Sequence, residues 1–250
     1  MASRRRVAWC GFLILAVAGA AGCDTAPDSP AVLAEYRERV DARLRTIEAI
    51  HAQAEKLPRV TEDRFGELDP PPDLRRKNDG PGKAVFVEVG HLLQTDRKNI
   101  GLDFIVSYDI TITRIATLVR DGRYPPPNKH LRLESVEGWI LREYLEEFLQ
   151  VRYLFLIRPV DVKKPSLLGT QKDKLENRRY LPGHYRGEVV AFDVESGQHV
   201  GGFSFQVETD PEVTVNTNYY HTDLWRSLAK KARERIEERT QDLCPNALRD

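Results

Sequence analysis

The side chains with most to offer a metal or a nucleophilic reaction in this 250-residue chain are six histidines, at 51, 91, 130, 184, 199 and 221, and three cysteines, at 10, 23 and 244. His184, Asp193, His199 and His221 fall in or near one β-rich stretch and are the set that could converge on a metal. No ligand-spacing motif joins them, so the expectation is surface or hydrogen-bonded histidines and no metal. Glu143, Glu146 and Glu147 offer carboxylates for acid–base work, but beside Arg142 on one helix they read as a solvated face. No G-x-S-x-G elbow, H-E-x-x-H pair, phosphate-binding G-x-x-x-x-G-K-[ST] or dinucleotide G-x-G-x-x-G is present, and Ser196-Gly197 sits in a turn. The chain therefore reads as non-enzymatic, with no cofactor. One cluster suits recognition instead: Tyr219, Tyr220 and His221, with Trp225 nearby, are aromatics with polar handles that fit a protein or glycan contact. The competing and weightier reading is that Tyr219 and Trp225 staple the last helix onto a sheet.

The cysteines carry more information than the histidines. Ser3-Arg4-Arg5-Arg6 is a short basic segment, and residues 7–22 are apolar and rich in Gly and Ala near their end. Sixteen residues are short of the roughly 20 that span a bilayer, so the pattern is that of a secretory signal peptide, residues 1–22. What ends it, Ala20-Ala21-Gly22-Cys23, resembles the lipobox of bacterial lipoproteins, with Ala20 where that family usually has Leu. The resemblance covers the signal region only. It implies cleavage between Gly22 and Cys23 and acylation of the Cys23 thiol. About 0.8 kcal/mol per buried CH₂ then makes two or three acyl chains a stable anchor in the lipid bilayer.

Ordinary cleavage after Ala16-Val17-Ala18 is the alternative, and it changes the covalent chemistry. An unlipidated Cys23 in an oxidising compartment leaves a Cys23–Cys244 disulfide open, in a soluble exported enzyme or binding protein; a lipidated one leaves Cys244 alone. Asp24 after the acceptor resembles an inner-membrane retention signal, a rule that varies among bacteria, so inner or outer membrane is left undetermined.

Charge excludes one class of partner. Lys plus Arg (38) equals Asp plus Glu (38), without the basic excess of a nucleic-acid binder. Removing residues 1–22 takes away three basic residues and no acidic one, leaving a net charge of −3 and no electrostatic reason to lie on an anionic leaflet. With 41% hydrophobic and 30% charged residues there is material for a core.

The elements follow from periodicity. Residues 23–31 form a polar tether. Residues 32–57 carry apolar side chains three and four apart (Leu33, Tyr36, Val40, Leu44, Ile47, Ile50, Ala54, Leu57), an amphipathic helix that either packs on its own domain, the favoured reading, or oligomerises as a spacer. Residues 58–83, with Pro70-Pro71-Pro72, are a linker or ordered surface loop, and the main domain spans 84–244 with a tail at 245–250. Within that domain residues 84–89 read as a buried strand. Residues 102–120 fit helix or strand and lean to helix, and 135–150 form a helix capped by Ser135. Residues 152–157 are too apolar to be anything but a central strand, 185–207 form a β-hairpin turning at Gly197, and 222–243 form a last helix capped by Thr222. This order predicts an α+β fold with a small, mostly antiparallel sheet covered by helices on one face. The functional expectation is a lipid-anchored, non-catalytic binding or accessory module of the bacterial envelope whose partner is a protein or glycan.

Overall fold

The computed structural model describes residues 28–74, 82–92, 112, 115–116, 118–119, 123–124, 131–132, 137–168, 179–209 and 220–248. Helix α1 (Ser29–Lys56) begins where the side chain of Asp28, in extended backbone, accepts the N–H of Ala31 at 3.0 Å, with a proline in the first turn. It ends at Leu57, whose N–H returns to the Gln53 carbonyl before Pro58, which has no N–H to continue the ladder. Val32, Leu33, Tyr36, Val40, Leu44, Ile47, Ile50 and Ala54 are all buried against the rest of the chain. The stripe is thus covered by packing within its own chain.

Five strands form the main sheet, in the order β1 (Arg64–Phe65), β9 (Gln198–Glu208), β8 (His184–Asp193), β5 (Tyr153–Lys163), β2 (Ala84–Glu88). Every pairing is antiparallel except β2 with β5. That parallel pair requires a long crossover, which contains a 3₁₀ turn (Val89–His91), the ribbon β3 (Arg123–Tyr124) and β4 (Leu131–Arg132), and helix α2 (Gly138–Gln150). A second ribbon, β6 (Ser166–Leu168) with β7 (Arg179–Leu181), lies between β5 and β8, and α3 (Tyr220–Leu243) closes the fold. The protein is α+β, as the element order predicts.

Helices cover both faces of the sheet rather than one. Along β5, Leu154 and Leu156 point to one face, where Val85, Val87, Val190 and Phe192 meet α1, α2 and the helical positions Ile112, Ile115, Ala116 and Leu118. Tyr153, Phe155 and Ile157 point to the other, where Phe86, Val189, Phe203 and Phe205 meet Trp225, Leu228, Ala229, Ala232 and Ile236 of α3. A strand packed on both sides has no wet face, and this is why residues 153–157 are uniformly apolar.

The starts of α2 and α3 and the place of the tail differ from the periodicity reading, while 102–120 and 58–74 follow one of the alternatives it left open. Of residues 102–120, the described positions 112, 115, 116, 118 and 119 are helical, and the others lie outside the described residues. Helix α2 starts at Gly138, after Glu137, and buries Leu141, Leu145 and Phe148; Ser135 lies outside the described residues. Helix α3 starts two residues before Thr222. Residues 58–74 are an ordered loop: Phe65 packs edge-on against Phe155 and Phe203, and the Tyr153 hydroxyl donates to the Pro70 carbonyl at 2.7 Å. Leu248 in the tail donates its N–H to Pro72, so the tail is also part of the fold.

Candidate functional site

The outer edge of β9 is only partly covered. β1 pairs with Gly201 and Gly202 alone. Further along, the Ser204 N–H is taken by the carboxylate of Asp63 at 2.9 Å, and Asp63 also forms an ion pair with Arg239 of α3. Between this edge and α3 lies a groove of about 460 Å³ with Phe205 and Gln206 in its wall and three guanidinium groups, Arg186, Arg235 and Arg239, against the single carboxylate of Asp63. Arg186 and Arg235 are about half exposed; their carboxylate neighbours, Asp161 at 3.8 Å and Glu238 at 3.3 Å, lie outside the groove lining. The wall is therefore cationic, and bidentate guanidinium forks suit carboxylate or phosphate groups.

Burial alone would raise the Asp63 pKa, but hydrogen bonds from Ser204 and the charge and hydrogen bond of Arg239 outweigh it and hold the carboxyl below its usual range. Asp63 is thus an anion committed to Arg239, while Arg186 and Arg235 pair with Asp161 and Glu238, exposed carboxylates outside the lining with which an anionic ligand would compete.

A smaller groove of about 230 Å³ lies beside it, between residues 57–64 and the face of β9 bearing His199, Gly201 and Gly202. Gly201 has φ +141°, and a Cβ there would stand 2.3 Å from the Arg64 carbonyl oxygen, so only glycine lets β1 approach. His199 is held below the usual imidazole range, first by burial and then by the nearby Arg158 charge, against a backbone hydrogen bond at Gly201 that acts the other way. The wall of this groove is fixed by Arg158, which donates to the carbonyls of Ala54, Leu57 and Pro58 and to Glu188 at 2.6 Å. Glu188 in turn accepts the Val60 N–H. One guanidinium thus satisfies the C-terminal carbonyls of α1 and ties them to the sheet.

The residues singled out in the sequence do not gather here. Gly22, Cys23 and Tyr219 lie outside the described residues, and Tyr220 and His221 open α3. Trp225 is 7% exposed, in the core beneath α3 with the Lys164 ammonium 5.4 Å from its ring centroid. It staples the helix and does not present a contact surface. His184 and His199 stand at opposite ends of the hairpin, and no group of three or more His, Cys, Asp or Glu side chains able to hold a metal occurs among the described residues. Glu146 and Glu147 are not simply solvated: they accept from the Tyr36 hydroxyl and from Lys83, fastening α2 to α1 and to the start of β2. Cys244 is a buried free thiol whose pKa burial pushes up to about 11.

Sequence reasoning did not find Asp63, Arg186, Arg235 or Arg239. Asp63 and Arg239 are 176 residues apart, and neither stands in a motif. Comparison with protein-family models, with curated proteins and with solved structures gives no match. Among the described residues no helix is long and apolar enough to cross a membrane.

Proposed function

We propose that the chain is a lipid-anchored, non-catalytic binding module of the bacterial cell envelope, held to a membrane through acylated Cys23 and engaging an anionic segment of an envelope partner at the Arg186–Arg235 groove. The observation that carries this reading is the placement of the two ends of α1. Its capped start lies six residues after Cys23, and its other end leads within seven residues to Asp63 at the groove. At 1.5 Å per residue, 28 residues set these ends about 40 Å apart. The helix is fixed to the domain at both ends, by Arg142 on Glu35 and by Arg158 on Leu57, so it acts as a strut. The soluble alternative, with Cys23 bridged to Cys244, is disfavoured by burial of the Cys244 thiol, which suppresses the thiolate that exchange requires.

Intact mass of the mature chain purified from membranes, with and without reductant, tests the anchor. A chain starting at Cys23 and heavier by a diacylglyceryl group is expected. A lipid-free chain two hydrogens lighter before reduction would overturn it. Charge reversal, Arg186→Glu with Arg235→Glu, is expected to abolish in vivo crosslinking to the envelope partner while the circular dichroism spectrum is unchanged. Undiminished crosslinking would move the binding surface elsewhere.

A further inference from the structure

Among the described residues Trp139 is the most exposed large apolar side chain, at 58%, and the other two are leucines. It stands in the first turn of α2, its indole N–H turned onto the carboxylate of Glu137. Its place relative to α1 gives the exposure a meaning. Arg142 forms a two-pronged pair with Glu35 and also donates to the Tyr36 hydroxyl; seven residues further along each helix, Arg43 donates to the Leu149 carbonyl at 2.6 Å. The two helices therefore run side by side in the same direction, and both begin at the same end of the molecule. Trp139 lies about 4.5 Å along its helix ahead of Arg142, and Ser29 about 9 Å ahead of Glu35, at 1.5 Å per residue. Their levels differ by less than one helical turn.

The chain that joins this end to the acceptor cysteine is short. Five residue steps separate Cys23 from Asp28, an extended reach of at most about 18 Å. Resting on the lipid anchor of the proposed function, we infer that Trp139 is an interfacial contact, inserted at the headgroup level of the bilayer that holds Cys23, and that it fixes the domain end-on with the groove directed away from the membrane. A tryptophan with an apolar body and a polar N–H is the side chain that membrane–water interfaces favour. The contact is not coulombic: the mature chain is net negative, and Glu35 and Glu137 flank this end. Anionic lipid therefore does not strengthen it.

The lipidated mature chain holds two tryptophans, Trp139 and the buried Trp225, since Trp9 leaves with the signal. In vesicles of phosphatidylethanolamine and phosphatidylcholine with acyl chains brominated at graded depths, emission from Trp225→Phe reports Trp139 alone. Subtracting Trp139→Phe from the parent gives the same signal should Trp225→Phe fail to fold. The expected result is a blue shift and loss of Trp139 emission, strongest with the shallowest bromines and unchanged by added salt or anionic lipid, with Trp225 emission unaffected. Solvent-like, unquenched Trp139 on a chain whose mass shows acylated Cys23 overturns the inference and leaves the anchor standing. Protection of Trp139 in native envelopes but not in vesicles also overturns it, in favour of a protein contact. A chain without lipid at Cys23 overturns both.

Discussion

Arg158 and Glu188 form a paired charge with side chains 12% and 7% exposed, and each also serves backbone groups that would otherwise be orphaned. Removing one partner strands a buried charge, so Glu188→Ala is expected to lower unfolding free energy by about 3–5 kcal/mol in urea denaturation. Replacing both with apolar residues is expected to recover only part of the loss, because the α1 carbonyls also lose their donor. His199 supplies a pH dependence at the same scale. Its folded-state pKa is depressed below that of the unfolded chain, so the unfolded state binds the proton first and stability is present in full above about pH 6.5 and declines as pH falls through the folded value. His199→Gln is expected to flatten the stability–pH curve over that window; an unchanged slope would mean that another group titrates there. None of these roles is legible in the sequence, since Arg158 reaches carbonyls 101 and 104 residues upstream and a guanidinium carries no mark of what it will cap.

At the scale of elements, what periodicity can encode was read correctly. The stripe of α1, the apolar run of β5, the hairpin turning at Gly197 and the stripe of α3 all depend on neighbours three or four residues away, or two, and appear at their expected places. What depends on distant chain was not. β1 is two residues long and exists because Gly201 and Gly202 lie open beside it, so periodicity leaves residues 58–74 open between linker and ordered surface loop and shows no strand. The start of α2 lies at Gly138 rather than at Ser135, and packing against α1 and the sheet buries Leu141, Leu145 and Phe148, with Ile140 and Tyr144 partly buried beside them. The Asp28 cap is the local feature with a consequence. Asp28→Ala is expected to cost about 1 kcal/mol and to raise amide hydrogen exchange in the first turn of α1, with Asp28→Ser largely restoring it.

The whole molecule places the capped start of a helical strut at one end and a cationic groove near the other, an arrangement that no local stretch of sequence specifies. The groove is built from residues of β1's approach, β8, β9 and α3, so it was invisible until the chain closed on itself. The same long-range construction governs how the protein comes to be folded. Glu35 waits 107 residues for Arg142, and Ala54 waits 104 for Arg158. Synthesis from the N-terminus thus delivers α1 first, with its apolar stripe uncovered, while the strand and helix that will shield it are still to be made. High sequence separation slows folding, so refolding of the purified domain from urea is expected to be slow for its size and to aggregate as concentration rises. A chain emerging N-terminus first thus stays prone to self-association through α1 until residues 138–163 have followed it.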